Sequence, residues 1–510
     1  MNAPASGSDA RGRLGPVFYA SLLLSVVFVA FGLIFPRGLT ESLAAIREVV
    51  VGTFGPVYPV AVSLLLLFVV VLALVPVGRK RLGGPDAKPE FGAISWVAML
   101  MSAGVGLSFL FWGVAEPLIH LADPPYGATD PGSAEAARAG MRYSFLFWGP
   151  HAWGIYAVVA IAIGYASFNR GSGMLVSAAL RPLFGRLVDG WVGNFIDTLT
   201  VLAMLFGIAT SLGLGTGELS AGLASRFGIA DSYGVKIAIV VGLMTFATIS
   251  AMTGLGRGIR VLSLVNAVLC GVLLVYVFVA GPTESIMSTL GTGVADYAAA
   301  FVPMGLATEG AAGDAWTGEW VYFFWAWWIA WAPFVGTFIA RISRGRTIRG
   351  VVTGVVLVPS LVSVVWFSVF GGTSLQRELS GAVSVSDTAG EAKSIATLAV
   401  FDTLPLTGLA LVLLVPVLAL LFITSADSAS FMLGSTTTGG SMKPPRPMRL
   451  MWSFAAAFAA VLLLSGGRDS LRGAAVIAAA PFTLILLGMV LSLFIMLWRD
   501  RAVPGRRDTS

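Results

Sequence analysis

The sequence predicts an all-α polytopic membrane protein with twelve transmembrane helices, and three observations carry that prediction. Of 510 residues, 57% are hydrophobic and only 11% charged, whereas roughly a quarter of a soluble globular chain is charged. The mean hydropathy is +0.87. Apolar windows of the roughly 20 residues needed to cross a bilayer recur near 15–36, 55–77, 92–119, 143–168, 190–221, 235–254, 259–281, 317–341, 350–371, 404–434, 447–466 and 473–498. The runs are continuous and do not alternate, which excludes a β-barrel.

Taken in order, residues 1–14 form a polar N-terminal tail. The first apolar run is followed by no small-residue cleavage site, so it reads as a span and not as a removable leader. Residues 15–91 hold two N-terminal helices and a linker, and residues 92–281 hold a block of five helices. The connection 282–316 carries Glu284, Asp296, Glu309 and Asp314 and no Lys or Arg, too polar to span, and is expected to be an external amphipathic helix. A second five-helix block fills 317–498, with 372–403 as the other long external segment, and 499–510 is a short tail. The third, fifth and tenth windows are long and are expected to tilt or break. With both termini on one side, that side collects most of the 32 Lys and Arg, including Arg79, Lys80, Arg81, Arg341, Arg344, Arg346 and Arg349. Positive charge stays inside, so both termini are expected to be cytoplasmic, at the cell membrane.

Composition also narrows function. The single cysteine, Cys270, lies in an apolar segment, so there is no disulfide framework. His120 and His151 are not at metal-ligand spacing, and no nucleophile–base pair appears in the spans, which argues against an enzyme. A net charge of +6, spread over short loops, suits anionic lipid and implies no nucleic-acid partner. A signalling sensor would need a sizeable cytoplasmic domain, which the tails and loops do not supply.

Four groups of residues carry candidate chemistry. The eighth helix places Trp325, Trp327, Trp328 and Trp331 near its middle, although tryptophan in membrane helices collects at the interfaces. Such faces either hold a cation, as aromatic cages hold quaternary ammonium, or pack helices together. The fourth helix adds Trp148, Trp153 and Tyr156; the last two are three apart and share a helix face. These rings could close a box with Trp328, with His151 between them as a hydrogen-bonded structural residue. The third helix has Gly104 and Gly106, where backbone can unwind and approach a ligand or helices can pack closely; Glu116 reads as a structural anchor near the interface. The tenth helix buries Thr424 and Ser425, hydroxyls that suit a hard monovalent cation or bond back to their own helix, and Asp427, a carboxylate that is costly inside a span. Thr210 and Ser211 offer similar hydroxyls in the fifth helix. Interrupted helices at matching places in the two blocks, the third and the eighth, suggest an internal repeat around a substrate site.

These segments, RLGGPDAKPEF (81–91), SAGVGLSFLFWGVAEPL (102–118), FWGPHAWGIYA (147–157), FFWAWWIAWAPFVGTFIARISRGRTIR (323–349) and FITSADSAS (422–430), resemble the betaine/choline/carnitine transporter family. The tryptophan segment and its basic tail are the most specific of them. The resemblance implies two inverted five-helix repeats, of the leucine-transporter type, after two extra N-terminal helices, together with a homotrimer and alternating access. It implies an aromatic cage for a trimethylammonium group at Trp148, Trp153, Tyr156 and Trp328, with Trp327 and Trp331 nearer the cytoplasmic exit and Gly104, Gly106 and Ser108 forming the glycine motif. One Na⁺ site would take Thr424 and Ser425 with the carbonyls of Ser102, Val105 and Leu421; a second would lie beside Phe334, with hydroxyls near Thr210 and Ser211. Ser108 stands where the family often has glycine and choline carriers can have aspartate, so zwitterion versus choline stays open. The short C-terminal tail speaks against osmosensing by a long basic extension. Val335 follows Phe334 where ion-independent exchangers put methionine, and no Lys or Arg stands mid-way in the seventh helix. The expectation is therefore a secondary active transporter, a Na⁺-coupled symporter of a quaternary-ammonium compound, foremost glycine betaine. The alternatives are a proton-coupled choline carrier and an ion-independent exchanger of the same fold.

Overall fold

The computed structural model describes residues 14–105, 108–253, 260–308, 315–390 and 392–502. Among these, regular structure is helical apart from one isolated bridge between Arg81 and Thr347. Helices α1 (Pro16–Ile34) and α2 (Pro36–Phe54) each begin on a proline, whose missing N–H costs nothing in a first turn. Helix α2 was not anticipated. It carries Arg37, Glu41, Arg47 and Glu48 and packs beside the last helix of the chain, so its polarity hid it from a search for apolar spans. Helix α3 (Val57–Leu74) follows.

The third window is two helices, α4 (Ala93–Val105) and α5 (Ser108–Ala122), bent by 56° at their junction. Gly106 and the side chain of Ser108 lie outside the described residues. The fourth window is likewise interrupted. Helix α6 (Ala134–Trp148) starts on Ser133, whose hydroxyl accepts from the Ala136 N–H at 3.1 Å, a standard N-cap. It stops at extended Gly149, and α7 (Pro150–Arg170) restarts on Pro150. Short helices α8 (Val176–Ala179) and α9 (Arg181–Phe184) lead to α10 (Trp191–Phe227), α11 (Tyr233–Thr253) and α12 (Arg260–Ala280). The polar connection does hold a helix, α13 (Thr283–Ala299), lying on α6 and on a later helix of the second block, and a short α14 (Phe301–Gly305); residues 309–314, with Glu309 and Asp314, lie outside the described set.

A π-helical turn, Thr317–Tyr322, opens into α15 (Phe323–Ile342). Helix α16 (Ile348–Val352) passes through a second π-turn at Thr353–Leu357 into α17 (Val358–Leu379), then α18 (Ser386–Ala389), α19 (Lys393–Asp402), α20 (Thr407–Thr437), α21 (Arg446–Ser465) and α22 (Gly467–Ala502). The long segment expected as a loop over 372–403 is thus largely helical. Of the three long windows expected to tilt or break, the third bends, while α10 and α20 run unbroken through 37 and 31 residues. Both carry their hydroxyls on an intact ladder.

Among the described residues, ten helical segments are long and apolar enough to cross a membrane, or eleven with the bent pair taken as one span; the molecule is a multi-pass membrane protein. The helix over 235–254 has a shorter apolar part, Tyr233–Ile249. Burial sorts the bundle. The central window of Thr317–Ile342 is 100% buried, against 22% for α1 and for α12, so α15 is the axis and those two lie at the outside of the bundle. Helix α15 packs on α7, α10, α20, α22 and α4.

At one end the basic tail of α15 is clasped to the 81–91 segment. The Arg341 guanidinium pairs with Glu90 at 2.7 Å, Arg81 donates to the Gly345 carbonyl at 2.8 Å, and the Arg346 guanidinium sits 4.1 Å from the centroid of Trp96. Gly345 has φ +82° with the Lys88 backbone against it, a place only glycine fits. Two motifs some 260 residues apart in sequence therefore form one structure.

Candidate functional site

Three interruptions converge on the middle of α15. Trp148 ends α6, while Trp153 and Tyr156 lie in the first two turns of α7. The Gly149–Pro150 break turns these rings toward the same neighbour. Trp328 is 5.5 Å from Trp148, 5.7 Å from Trp153 and 5.2 Å from Tyr156, centroid to centroid, in edge-on and tilted poses. Trp153 and Tyr156 meet edge-to-face at 5.6 Å. All four rings are buried. The sequence expected a box among these residues; in the structure Trp148, Trp153 and Tyr156 each lie in ring contact with Trp328.

Their polar ends are held individually. The Trp148 indole donates to Glu116 at 2.8 Å and the Trp153 indole donates to the Trp148 carbonyl at 3.2 Å. That carbonyl belongs to the last turn of α6, where helix ends leave acceptors without partners. Glu116, expected as a structural anchor, is fully buried within the protein. The Trp328 indole N–H has no partner among the described residues. It is a donor left over beside these rings, and buried polar groups of this kind call for an explanation. Gly104 lets the tetrad close on α4: a Cβ there would stand 2.8 Å from the Trp153 ring.

The neighbouring tryptophans do something else. Trp327 donates to the Ser211 hydroxyl at 3.1 Å and Trp331 donates to the Gly207 carbonyl at 2.9 Å, so both seam α15 to α10. His151 packs against Phe301 at 4.7 Å, and its Nδ1 has no partner among the described residues. Its ring also lies 6.0 Å from that of Trp325.

The hydroxyl residues divide. Ser425 donates to the Ser102 carbonyl at 3.0 Å, bringing α20 onto the last turn of α4, which ends at buried Val105. Thr424 donates to the carbonyls of Leu420 and Leu421 at 2.7 and 3.3 Å. A hydroxyl that donates its proton keeps lone pairs for a cation. Ser425 thus reaches across to α4, whereas Thr424 bonds back to its own helix, the alternative role for such hydroxyls. Nearby, a small void of about 20 Å³ is lined by Ser211, Trp331, Phe334, Phe422 and Ser425 among others. Thr210 does not join it. Its hydroxyl donates to the Leu471 carbonyl at 2.9 Å, on the far side of α10. Asp427, one turn beyond Thr424, is paired with Arg449 at 2.8 Å and pins α20 to α21.

Sequence reasoning missed Phe109 and Phe367, 5.2 and 5.6 Å from Trp148, and Trp112, which stacks with α15 through Phe324. The signal was present in the aromatic spacing of FLFW at 109–112, but only the 56° bend shows which of those rings turns inward.

A family model described as BCCT, betaine/carnitine/choline family transporter, matches residues 16–502. The glycine betaine transporter OpuD of Bacillus subtilis (strain 168) is 40% identical over 96% of this chain and 95% of its own length. The ectoine/hydroxyectoine transporter of Virgibacillus pantothenticus is 37% identical over 94% of this chain and 96% of its own. The osmo-independent choline transporter BetT1 of Acinetobacter baylyi (strain ATCC 33305 / BD413 / ADP1) is 36% identical over 93% and 92%.

Proposed function

The chain belongs to the betaine/carnitine/choline transporter family, a family of transporters and not of enzymes, and on that premise we propose that it is a Na⁺-coupled symporter of glycine betaine. The observation that carries the substrate class is the meeting of three rings, Trp148, Trp153 and Tyr156, on Trp328. A cation over a desolvated tryptophan face gains about 2 kcal/mol. Several faces together offset the water that a trimethylammonium group gives up. An ammonium or primary amine keeps stronger hydration and offers no methyl shell to the rings, so the site favours the onium.

The Na⁺ reading rests on oxygens of α4 and α20. A monovalent cation takes the carbonyls of Ser102, Val105 and Leu421 and the hydroxyls of Thr424 and Ser425, and a second takes Ser211 beside Phe334. Binding at the junction of α4 and α20 fixes the bend that sets Gly104 against Trp153. Sodium thereby favours the shape that binds substrate, and by linkage substrate favours sodium. The full arrangement we propose has twelve spans, two inverted five-helix repeats after α1 and α3, both termini cytoplasmic, and a homotrimer in anionic lipid.

The deciding experiment is uptake of labelled betaine into proteoliposomes under an imposed Na⁺ gradient, a pH gradient, or neither. Sodium-driven accumulation supports the proposal. Uptake driven by pH alone selects a proton-coupled choline carrier when choline is the better substrate. Exchange without any gradient selects an exchanger.

A further inference from the structure

Lys393 opens α19 and is buried, 5% exposed. Its Nζ lies 4.5 Å from the centroid of Trp112 on α5 and 3.5 Å from a carboxylate oxygen of Glu218 on α10. The other Glu218 oxygen accepts the Ser394 N–H at 2.9 Å, holding the first turn of α19 in place. Lysine is seldom buried without partners; Trp112 and Glu218, two of the groups around Lys393, are ones an onium would also seek, and its charge also reaches Glu116. Trp112 is not an isolated ring. It stands 5.2 Å from Phe324 and 6.3 Å from Trp327, and Trp327 stands 6.3 Å from Trp148 of the cage. A column of edge-to-face and tilted ring contacts thus runs from the Trp112 face under Lys393 to Trp148, at the end of α15 away from the Arg341–Glu90 clasp.

We propose that the Lys393 ammonium is the protein's own occupant of the outer end of this column, and that it selects zwitterions over net cations. The inference rests on the onium reading of the site. A substrate onium descending the column competes with a tethered cation for the Trp112 face. A zwitterion brings a carboxylate that pairs with Lys393 as the lysine lifts away. A net cation such as choline offers no partner and meets the released ammonium as a like charge.

The test compares wild type, Lys393→Arg, Lys393→Gln and the double variant Lys393→Gln/Glu218→Gln, which leaves no unpaired buried carboxylate should the single variant fold poorly. Equilibrium affinities for betaine, choline and tetramethylammonium are read by intrinsic tryptophan fluorescence on full-length protein. The expected result is a choline-to-betaine affinity ratio roughly tenfold higher in the two neutral variants and unchanged in Lys393→Arg, since specificity is a difference of affinities. Tetramethylammonium tightens with choline. A ratio within about twofold of wild type in both neutral variants overturns the role of Lys393 while leaving the cage intact. Failure of wild type to bind any of the three probes overturns the onium reading and this inference with it.

Discussion

The Ser425 hydroxyl donates to the carbonyl of Ser102 at 3.0 Å, across 323 residues of sequence. It ties α20 to the last described turn of α4, which ends at Val105. Under the proposed sodium coupling, Ser425 and this carbonyl are two of the oxygens offered to the cation.

Ser425→Ala removes one hydroxyl from those oxygens. Losing the hydrogen bond costs about 1 kcal/mol of stability, small enough to leave folded protein. The expected outcome is a Na⁺ activation curve for betaine uptake shifted to roughly tenfold higher Na⁺, by the loss of one of about six oxygen ligands. A curve that superimposes on wild type would remove Ser425 from the cation site. Thr210→Val is the control: its hydroxyl is spent on Leu471, so the Na⁺ curve should hold while the unfolding midpoint falls.

Gly104 is where backbone and cage touch. In Gly104→Ala the new methyl group would stand 2.8 Å from the Trp153 ring. Overpacking of this kind costs about 1–3 kcal/mol, and the ring is the softest element available to yield. Betaine affinity should fall roughly tenfold, with modest change in expression. Equal affinity in the variant would mean that Trp153 does not contact substrate.

Glu116 accepts the Trp148 indole N–H at 2.8 Å. Glu116→Gln keeps an acceptor oxygen and should bind betaine nearly as wild type does. Glu116→Ala leaves a buried donor unpaired, at about 1–3 kcal/mol, and should weaken binding and lower the unfolding midpoint together. If both variants lose binding alike, the charge and not the acceptor is what the cage requires.

The Asp427–Arg449 pair is buried on both sides. Asp427→Ala strands a guanidinium and should destabilise the protein by about 3–5 kcal/mol, whereas replacing both residues with apolar ones of similar volume should be close to neutral. Thermal unfolding in detergent, followed for both variants, checks this. A single variant as stable as wild type would show that other neighbours carry the charge.

Much of this was legible beforehand. Hydropathy marked the apolar spans because lipid forbids polar runs, and Gly104 marked a close approach, which the structure shows to be that of the Trp153 ring. Trp148, Trp153, Tyr156 and Trp328 could be grouped because two lie three residues apart on one helix face and the others belong to motifs of recognisable spacing. What sequence could not supply was direction. Thr210 and Ser211 are adjacent in sequence, yet neighbouring residues on a helix point about 100° apart, and only one faces α15. Helix α2 escaped because its charged residues resemble those of a loop, although proline at its start was a usable signal. Lys393 gave no sequence sign at all; its partners Trp112 and Glu218 come from two distant helices.

The central claim is that the rings bind a charge and not merely a shape. Glycine betaine and its carbon isostere 3,3-dimethylbutanoate share a tert-butyl-shaped head and a carboxylate, differing in whether that head is cationic. Isothermal titration of the purified protein in saturating Na⁺ compares them directly. The account predicts that betaine binds at least about a hundredfold more tightly, a difference of about 2.7 kcal/mol that one or two desolvated cation–π contacts supply. Equal affinity for the uncharged head would contradict it.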